Sequence, residues 1–361
     1  MPFLVASLIL VLPGATHAHE GGDCTRQVTP TTGLPPTEPG DVVCFAPGTY
    51  TPLLIVNVHG RPTAPVVFRR APGHDESPTF TSGSLDHGTA ITVINSSHIE
   101  LLGLRATNSG TGVSVEGSEH IRLAELLVES IGQAGIHVGR TRSATQFLGP
   151  PSHHVDVVKN TIRDTGLVTA RYGEGIYVGT GGLAGDDTHH VGIEGNHIER
   201  VRAEGIDVKA YTHDILIRGN LVAHGTHYFH AAITVGVSPR SCPGPADYTD
   251  ANYLIEDNVV FDFRRVPPPT VNHASAPVAG IGVGHGKTVV RGNTVWDVPG
   301  GAAIELYSTF GTATATHVTV DANAIWNPRG RGLVVGESDQ GTCVTGRNAK
   351  LSWGDIGPLP P

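Results

Sequence analysis

Hydrophobic and polar positions alternate in short segments that recur along most of the chain. Each segment has Gly or Ala, an aliphatic residue, a variable residue and a second aliphatic residue, and the copies are Gly112-Val-Ser-Val115, Gly135-Ile-His-Val138, Gly175-Ile-Tyr-Val178, Gly205-Ile-Asp-Val208, Ala232-Ile-Thr-Val235, Gly280-Ile-Gly-Val283, Ala303-Ile-Glu-Leu306 and Gly332-Leu-Val-Val335. This alternation predicts strands whose aliphatic side chains point inward and whose variable residue points outward. Successive copies lie as little as 23 residues apart, between residues 112 and 135. We therefore expect stacked coils of two or three short strands, a solenoid.

A second apolar strand follows most copies of this segment, and six of these second strands end in asparagine: Asn160, Asn196, Asn220, Asn258, Asn293 and Asn323. Asparagine tolerates a bend, and its side chain can hydrogen-bond neighbouring backbone groups. Asparagines stacked coil upon coil would form a ladder of side-chain hydrogen bonds. The pattern therefore predicts an all-β parallel β-helix with an internal Asn ladder.

The longer repeats contain insertions, and most of them fall at the same point of the coil. Those after the first strand are residues 140–153, 180–188, 238–251 and 309–316, whereas residues 264–277 precede a first strand. Insertions at one point of a repeat lie on one side of a solenoid, where they often form the wall of a binding face.

The two ends of the chain indicate an exported protein with one main domain. Residues 1–18 resemble a signal peptide, with an apolar stretch and a small-residue cleavage site. We expect residues 19–39 to form an N-terminal cap and residues 40–361 the β-helix. No other segment has about 18 consecutive apolar residues, so we expect a secreted or periplasmic protein with no membrane span.

The four cysteines follow the expected cleavage site, and an even number suits an oxidising compartment. Four cysteines allow three pairings. We favour Cys24 with Cys44, which would tie the N-terminal segment to the first coil, and Cys242 with Cys343, which would join two loops.

Composition narrows the possible partners. The formal net charge of −9 does not favour a basic face for nucleic acid. We also expect the protein to be a monomer. Several basic residues nevertheless fall in adjacent coils: Arg171, Arg200, Arg202, Lys209 and Arg218. They either form a local surface for an acidic polymer or are scattered, solvated charges.

The outward positions of the first strands form a column of residues, and we expect the catalytic and binding residues to lie there. In order they are Ser114, His137, Tyr177, Asp207, Thr234, Gly282, Glu305 and Val334. Two residues further along, Lys209 has Gly179 and Gly236 at the corresponding positions of the neighbouring coils, which predicts an open trough around one amine. The chain has fewer lysines than arginines. Of these two residue types, only lysine can lose its proton and act as a base. The alternative is a surface lysine paired with Asp207.

One segment of the sequence has a resemblance to a known group of enzymes. The run Glu204-Gly-Ile-Asp-Val-Lys-Ala-Tyr-Thr-His-Asp-Ile-Leu-Ile-Arg-Gly-Asn220 looks like the active coil of right-handed parallel β-helix polysaccharide lyases, nearest to the chondroitinase B and alginate lyase group. Residues 40–50 and 64–70 resemble the first coils of the same group. The resemblance implies that the solenoid is right-handed and that the substrate is an acidic polysaccharide.

The resemblance also implies roles for individual residues. Lys209 would abstract the C5 proton of a uronic acid, and Glu204 would help to bind calcium. His230 falls near the place of an arginine that aids the leaving group, and Arg202 replaces a second glutamate, where it would neutralise the substrate carboxylate itself. Asp207 would orient the amine or share the cation.

The remaining candidates line the same face. Tyr177 would stack on a sugar ring or supply a proton, and the residues expected to contact substrate are His137, Thr234, Glu305, Tyr307 and Arg200. The spacing of His224, His227 and His230 is compatible with a metal site. However, a chain with 20 histidines can contain such a cluster by chance.

The function that the sequence predicts is therefore a secreted lyase that cleaves a uronate-containing polysaccharide by β-elimination. Two alternatives stay open. A C5-epimerase uses the same proton abstraction without cleavage, and a glycan-binding or surface β-helix has no chemistry at this face. A glycoside hydrolase is disfavoured, because hydrolysis needs two carboxyl groups that face one glycosidic bond.

Overall fold

The structure, a computed structural model, describes residues 23–143, 146–169, 172–181, 185–227, 231–237, 251–265, 279–284, 287–306, 308–309, 313–314, 318–335, 343–344 and 349–350. In chain order its strands are β1 (Arg26–Val28), β2 (Val42–Phe45), β3 (Thr49–Tyr50), β4 (Leu53–Val56), β5 (Val66–Arg70), β6 (Thr79–Phe80), β7 (Thr89–Ile94), β8 (Ser97–Leu102), β9 (Arg105–Ser109), β10 (Thr111–Glu116), β11 (Glu119–Ala124), β12 (Leu127–Ile131), β13 (Ile136–Gly139), β14 (His153–Val158), β15 (Thr161–Arg163), β16 (Ile176–Val178), β17 (His189–Glu194), β18 (His197–Glu199), β19 (Ile206–Lys209), β20 (His213–Arg218), β21 (Leu221–Ala223), β22 (Thr226–His227), β23 (Ala231–Val237), β24 (Tyr253–Glu256), β25 (Val259–Phe261), β26 (Arg264–Arg265), β27 (Ala279–Val283), β28 (Thr288–Arg291), β29 (Thr294–Trp296), β30 (Ala302–Leu306), β31 (Ser308–Thr309), β32 (Ala313–Thr314), β33 (Val318–Asp321), β34 (Ala324–Trp326), β35 (Arg331–Val335), β36 (Cys343–Val344) and β37 (Ala349–Lys350).

Three long parallel sheets contain nearly all of these strands. Sheet 1 has 10 strands in the order β4-β7-β10-β13-β16-β19-β23-β27-β30-β35. Sheet 2 has 12 strands, β1-β2-β5-β8-β11-β14-β17-β20-β24-β28-β33-β36, and sheet 3 has 11, β3-β6-β9-β12-β15-β18-β21-β25-β29-β34-β37. One coil therefore contributes one strand to each sheet in turn. The predicted all-β parallel β-helix is confirmed, with three strands in most coils.

The aliphatic residues of the repeat face a shared interior. Ile206 and Val208 of β19 are fully buried, as are Ile215 and Ile217 of β20 to within 2 % exposure. The Gly or Ala that opens each repeat is also buried, except for the exposed Gly332 of the last repeat. A Cβ added to Gly205 would lie 2.3 Å from Val222 Cγ1, so the closeness of sheet 3 explains the small residue.

The predicted Asn ladder is present, and it joins the coils between sheets 2 and 3. Each Asn Nδ2 donates to Oδ1 of the next Asn at 2.9 Å, in the sequence Asn160, Asn196, Asn220, Asn258, Asn293 and Asn323. A shorter ladder, which the sequence did not predict, lies between sheets 1 and 2, where the backbone N–H groups of Ser96 and Ser118 donate to the hydroxyls of Ser118 and Ser152.

Removal of one central ladder side chain will destabilise the fold strongly. The amide of Asn220 accepts two hydrogen bonds from Asn196 and donates to Asn258 Oδ1 and Ile193 O. Asn220→Ala leaves these buried partners unsatisfied, so we expect a loss of about 3–5 kcal/mol of unfolding free energy in urea denaturation. Asn108→Ala, at an exposed asparagine, should cost about 1 kcal/mol. Equal losses in the two variants would show that the ladder contributes nothing specific.

One of the two predicted cysteine pairs is confirmed in the N-terminal part of the structure. Cys24 and Cys44 form a disulfide, which attaches the segment before β1 to β2, and β1 pairs with β2 in sheet 2. Cys242, the expected partner of Cys343, lies outside the described residues, as does the expected signal peptide. No helix long and apolar enough to cross a membrane occurs in the described part of the chain.

Candidate functional site

The outward column has the register that the repeat predicts. The strand pairs of sheet 1 place Ser114 beside His137, His137 beside Tyr177, and Tyr177 beside Asp207. Asp207 is followed by Thr234, and the column continues through Gly282, Glu305 and Val334. Neighbouring members of the column lie on strands about 4.8 Å apart, so side chains of adjacent coils are in reach of one another.

The column is covered, whereas the sequence predicted an open trough. Asp207 is fully buried, and the Lys209 side chain is 12 % exposed. Gly181, at the start of the insertion at residues 180–188, lies against this part of sheet 1: its N–H donates to the Tyr177 hydroxyl at 2.7 Å, and a Cβ on Gly181 would be 3.6 Å from Lys209 Cε. Two of the four insertions expected on a common side are in contact, since Arg140 of the preceding insertion donates to Gly185 O at 3.0 Å.

The glycines expected on both sides of Lys209 are present on one side only. Gly179 has a φ of +84°, and a Cβ placed on it would lie 2.6 Å from Thr212 Cγ2, so a glycine is needed there. On the other side a β-bulge shifts the register, and Lys209 pairs with Val237 instead of Gly236. Gly236 has a φ of +68°, a conformation that glycine adopts readily and that allows the bulge.

Lys209 forms a buried ion pair with Asp207 Oδ2. Its Nζ also lies 5.2 Å from the centre of the Tyr177 ring. Burial lowers the pKa of Lys209, but the negative charges of Asp207, Glu204 and Glu174 outweigh it, and the pKa is raised. A general base is favoured by a lowered pKa, and the acidic groups around this amine have the opposite effect.

Three buried carboxylates converge beside this amine: Glu174, Glu204 and Asp207. Their oxygen atoms lie within 4.8 Å of one another, and the two glutamates are 4 % exposed. Burial, followed by the charges of Glu204 and Asp207, raises the pKa of Glu174 well above its usual value. These acidic groups could hold a metal ion, since carboxylate oxygens are ligands for hard cations.

Glu174 was not among the predicted site residues, although a repeated sequence motif indicates it. The same three residues, Glu-Gly-Ile, precede the variable position in two consecutive coils, as Glu174-Gly-Ile176 and Glu204-Gly-Ile206. The backbone confirms the equivalence, because the Gly175 N–H donates to Glu204 O. The resemblance places a second glutamate two residues before Glu204, where this chain has Arg202. In the structure the preceding coil supplies a second glutamate, Glu174, beside Glu204.

His137 has a different environment from Lys209. Its Nδ1 lies 3.3 Å from Ser114 Oγ, and its Nε2 lies 3.4 Å from Gly179 O. Burial is the main influence on the His137 pKa and lowers it, although Glu116 opposes this shift. A neutral imidazole has one N–H and one lone pair, so the contacts with Ser114 and Gly179 occupy both ring nitrogens and fix the orientation of His137.

The other predicted site residues lie away from Lys209 or outside the residues that the structure describes. Arg200 follows β18 in sheet 3 and pairs with Asp164 and Glu199, so it is on a different face from the column. Arg202 is exposed in the turn before β19. His230 and Tyr307 are outside the described residues. Of the three histidines considered as a metal site, only His224 has a described side chain, and it pairs with Asp262.

Thr234 and Glu305 lie in the column as predicted, and both are buried. Within the described part of the chain, Thr234 Oγ1 and Glu305 Oε2 have no hydrogen-bond partner. Burial raises the pKa of Glu305 to about 7, against the opposing charge of Arg331.

The buried Glu305 predicts a loss of stability as the pH rises from 4.5 to about 7. Because its folded pKa lies above the ordinary value of 4.5, its favourable contribution is complete below pH 4.5 and disappears as pH rises through about 7. Glu305→Gln should therefore be more stable than the parent by about 1–3 kcal/mol at pH 8, with the difference vanishing near pH 4. Melting temperatures of both proteins across this range test it. A difference that is independent of pH would contradict the assignment.

Comparison with known proteins agrees with this architecture. Residues 89–242 match the family model described as right handed beta helix region. The chain is a right-handed parallel β-helix. No curated protein matches the chain significantly. A crystal structure of alginate lyase from Paenibacillus sp. str. FPU-7 is similar to this β-helix with a TM-score of 0.66 and 20 % identity, over 88 % of this chain and 100 % of that chain.

More distant solved structures share the β-helix with different chemistry. Pectate lyase Pel9A has a TM-score of 0.51 at 13 % identity, over 94 % of this chain and 82 % of that chain. The GH136 lacto-N-biosidase from Eubacterium ramulus has a TM-score of 0.54 at 15 % identity, over 86 % of this chain and 62 % of that chain. At these identities the similarity establishes the fold, and the reaction must be argued from the side chains.

Proposed function

We propose that this β-helix is an exported enzyme that cleaves an acidic, uronate-containing polysaccharide by β-elimination at the outward face of sheet 1. The observation that carries the proposal is one lysine amine, Lys209, placed beside three converging buried carboxylates and a tyrosine in neighbouring coils. The Cys24–Cys44 disulfide supports export, because disulfides persist in oxidising compartments.

The proposed reaction needs one base and one acid on the same sugar. The Lys209 Nζ takes the C5 proton of the uronate. The C5–H electron pair forms the C4–C5 double bond as the C4–O bond breaks. The leaving oxygen then takes a proton from an acid, so the products are an unsaturated uronate and a free hydroxyl.

Tyr177 is the described residue best suited to the acid role. Its hydroxyl accepts the Gly181 N–H, which leaves its own proton free to be donated. Burial is the main cause of its raised pKa, so the phenol holds its proton until the leaving oxygen develops charge. The 5.2 Å between Lys209 Nζ and the centre of the Tyr177 ring supports an acid and a base that act from adjacent coils.

The donor set suits calcium, which takes six to eight oxygen ligands. Glu174, Glu204 and Asp207 supply carboxylate oxygens only, and their mutual repulsion in a buried site is what a divalent cation would relieve. When bound, calcium would neutralise the substrate carboxylate, which makes the C5 proton more acidic, and would offset the negative charge that holds the Lys209 proton. Asp207 would then orient the amine.

The test is incubation of the purified protein with pectate, alginate, chondroitin and heparinoid, with calcium or with a chelator. An increase in ultraviolet absorbance from an unsaturated uronate on one polymer would support the proposal. Incorporation of solvent deuterium at C5 without cleavage would show an epimerase. Retarded migration in affinity electrophoresis with neither signal would show a binding protein, and the lyase proposal would be wrong.

A further inference from the structure

A double row of histidines lies along the first residues of the sheet 2 strands. One row contains His153, His189 and His213, and the other contains His98, His120, His154 and His190. Within each row the ring centroids lie between 4.5 Å and 5.1 Å apart, and most neighbouring rings are nearly parallel. The spacing follows from the parallel register, which pairs His153 with His189 and His189 with His213.

At one end of the first row a carboxylate joins two of these imidazoles. Asp187 Oδ1 lies 3.3 Å from His213 Nε2. The ligand atoms of Asp187, His189 and His213 lie within 4.8 Å of one another. Imidazole nitrogen with one carboxylate oxygen is a donor set for zinc and related transition metals rather than for calcium.

The second nitrogen of each ring already has a hydrogen-bond partner. His189 Nδ1 lies 2.7 Å from Asp187 O, and His213 Nδ1 lies 2.7 Å from Asp214 Oδ2. Both partners accept hydrogen bonds, so each Nδ1 carries a proton. Nε2 is then the nitrogen that would bind a metal, and a proton held between His213 Nε2 and Asp187 would be released on binding. A backbone carbonyl or carboxylate in this position is the usual support of a metal-binding histidine.

We propose that Asp187, His189 and His213 form a transition-metal site that binds Zn²⁺ on the surface of the β-helix. Nitrogen ligands of a tetrahedral ion lie about 3.4 Å apart, so the side chains must close slightly around it. They have room to do so, because the Asp187 and His213 side chains are 62 % and 35 % exposed. Water would complete the coordination.

The proposed ion would connect two coils at the edge of the covered column. Asp187 ends the insertion at residues 180–188, and His213 begins β20 in the following coil. The Asp187 N–H already donates to Tyr211 O at 2.9 Å, two residues beyond Lys209. The ion would thus fasten the insertion over sheet 1, separately from the three buried carboxylates, and the inference does not depend on the proposed lyase activity.

The test uses the full chain without an affinity tag. Titration calorimetry with Zn²⁺ should give one ion per chain, and Co²⁺ should produce the visible absorption of a tetrahedral complex. Asp187→Asn and His213→Ala should each weaken Zn²⁺ binding at least tenfold, because each removes a ligand.

A double variant at the far end of the second row, His98→Ala with His120→Ala, is the matched control and should bind Zn²⁺ as the parent does. Circular dichroism of each variant verifies the fold, and Asp187→Asn changes only an exposed side chain. The proposal is overturned if the parent does not bind Zn²⁺, if Asp187→Asn binds as tightly as the parent, or if the control loses binding equally, which would indicate diffuse association with the whole histidine array.

Discussion

Lys209→Ala will reduce β-elimination by at least about 1,000-fold on whichever polymer the parent cleaves, because no other described amine lies in the column and a positioned base contributes factors of this size. Lys209→Arg should be almost as inactive. Arginine retains the positive charge beside Asp207 but cannot give up its proton at any ordinary pH. The arginine variant therefore separates a catalytic base from a cation that merely holds the acidic groups together.

The control for this prediction is Lys159→Ala, at an exposed lysine outside sheet 1, which should retain the activity of the parent. The measurement is the initial rate of unsaturated-uronate formation at saturating polymer, with the fold of each variant checked by its melting temperature. Activity in Lys209→Arg within tenfold of the parent would contradict the assignment of Lys209 as the base.

The register of sheet 1 could be predicted from sequence because a slip by one residue would turn buried aliphatic side chains such as Ile206 and Val208 outward. The same period determines which residue follows which along the outward column, so Tyr177, Asp207 and Thr234 were placed correctly. The Asn ladder could be predicted for a related reason, since one residue type recurs at one point of the coil.

The candidate site could be predicted less fully, because parts of it do not follow the repeat. The bulge that places Val237 beside Lys209 depends on the left-handed conformation of Gly236, which alternation of polarity does not indicate. The covering of the column depends on the path of the insertion that contains Gly181, and loop contacts determine that path. Burial lowers the pKa of Lys209, and the charge of Asp207 is the largest influence that raises it. Glu174 adds to this effect from the preceding coil, before its strand, where the repeat does not indicate it.

Glu174→Gln will abolish stabilisation by calcium. If calcium binds the folded chain at the three carboxylates, a concentration of 100 times its dissociation constant adds about 2.7 kcal/mol to the unfolding free energy of the parent. For a chain of this length, that gain corresponds to an increase of about 4 °C in melting temperature. Glu174→Gln removes one of the oxygen donors and one of the charges, so its melting temperature should be the same with calcium and with a chelator.

Most substitutions of buried residues lower the melting temperature. In the presence of a chelator, Glu174→Gln should not lower it. The carboxylates of Glu174, Glu204 and Asp207 repel one another, and Lys209 compensates only part of their charge, so Glu174→Gln should leave the melting temperature unchanged or raise it. Glu129→Gln is the matched control, because Glu129 is buried but paired with Arg105 and Arg163. It should lower the melting temperature in both buffers and retain the full response to calcium. A calcium response that survives in Glu174→Gln would place the ion elsewhere and remove the cation from the proposed chemistry of Lys209.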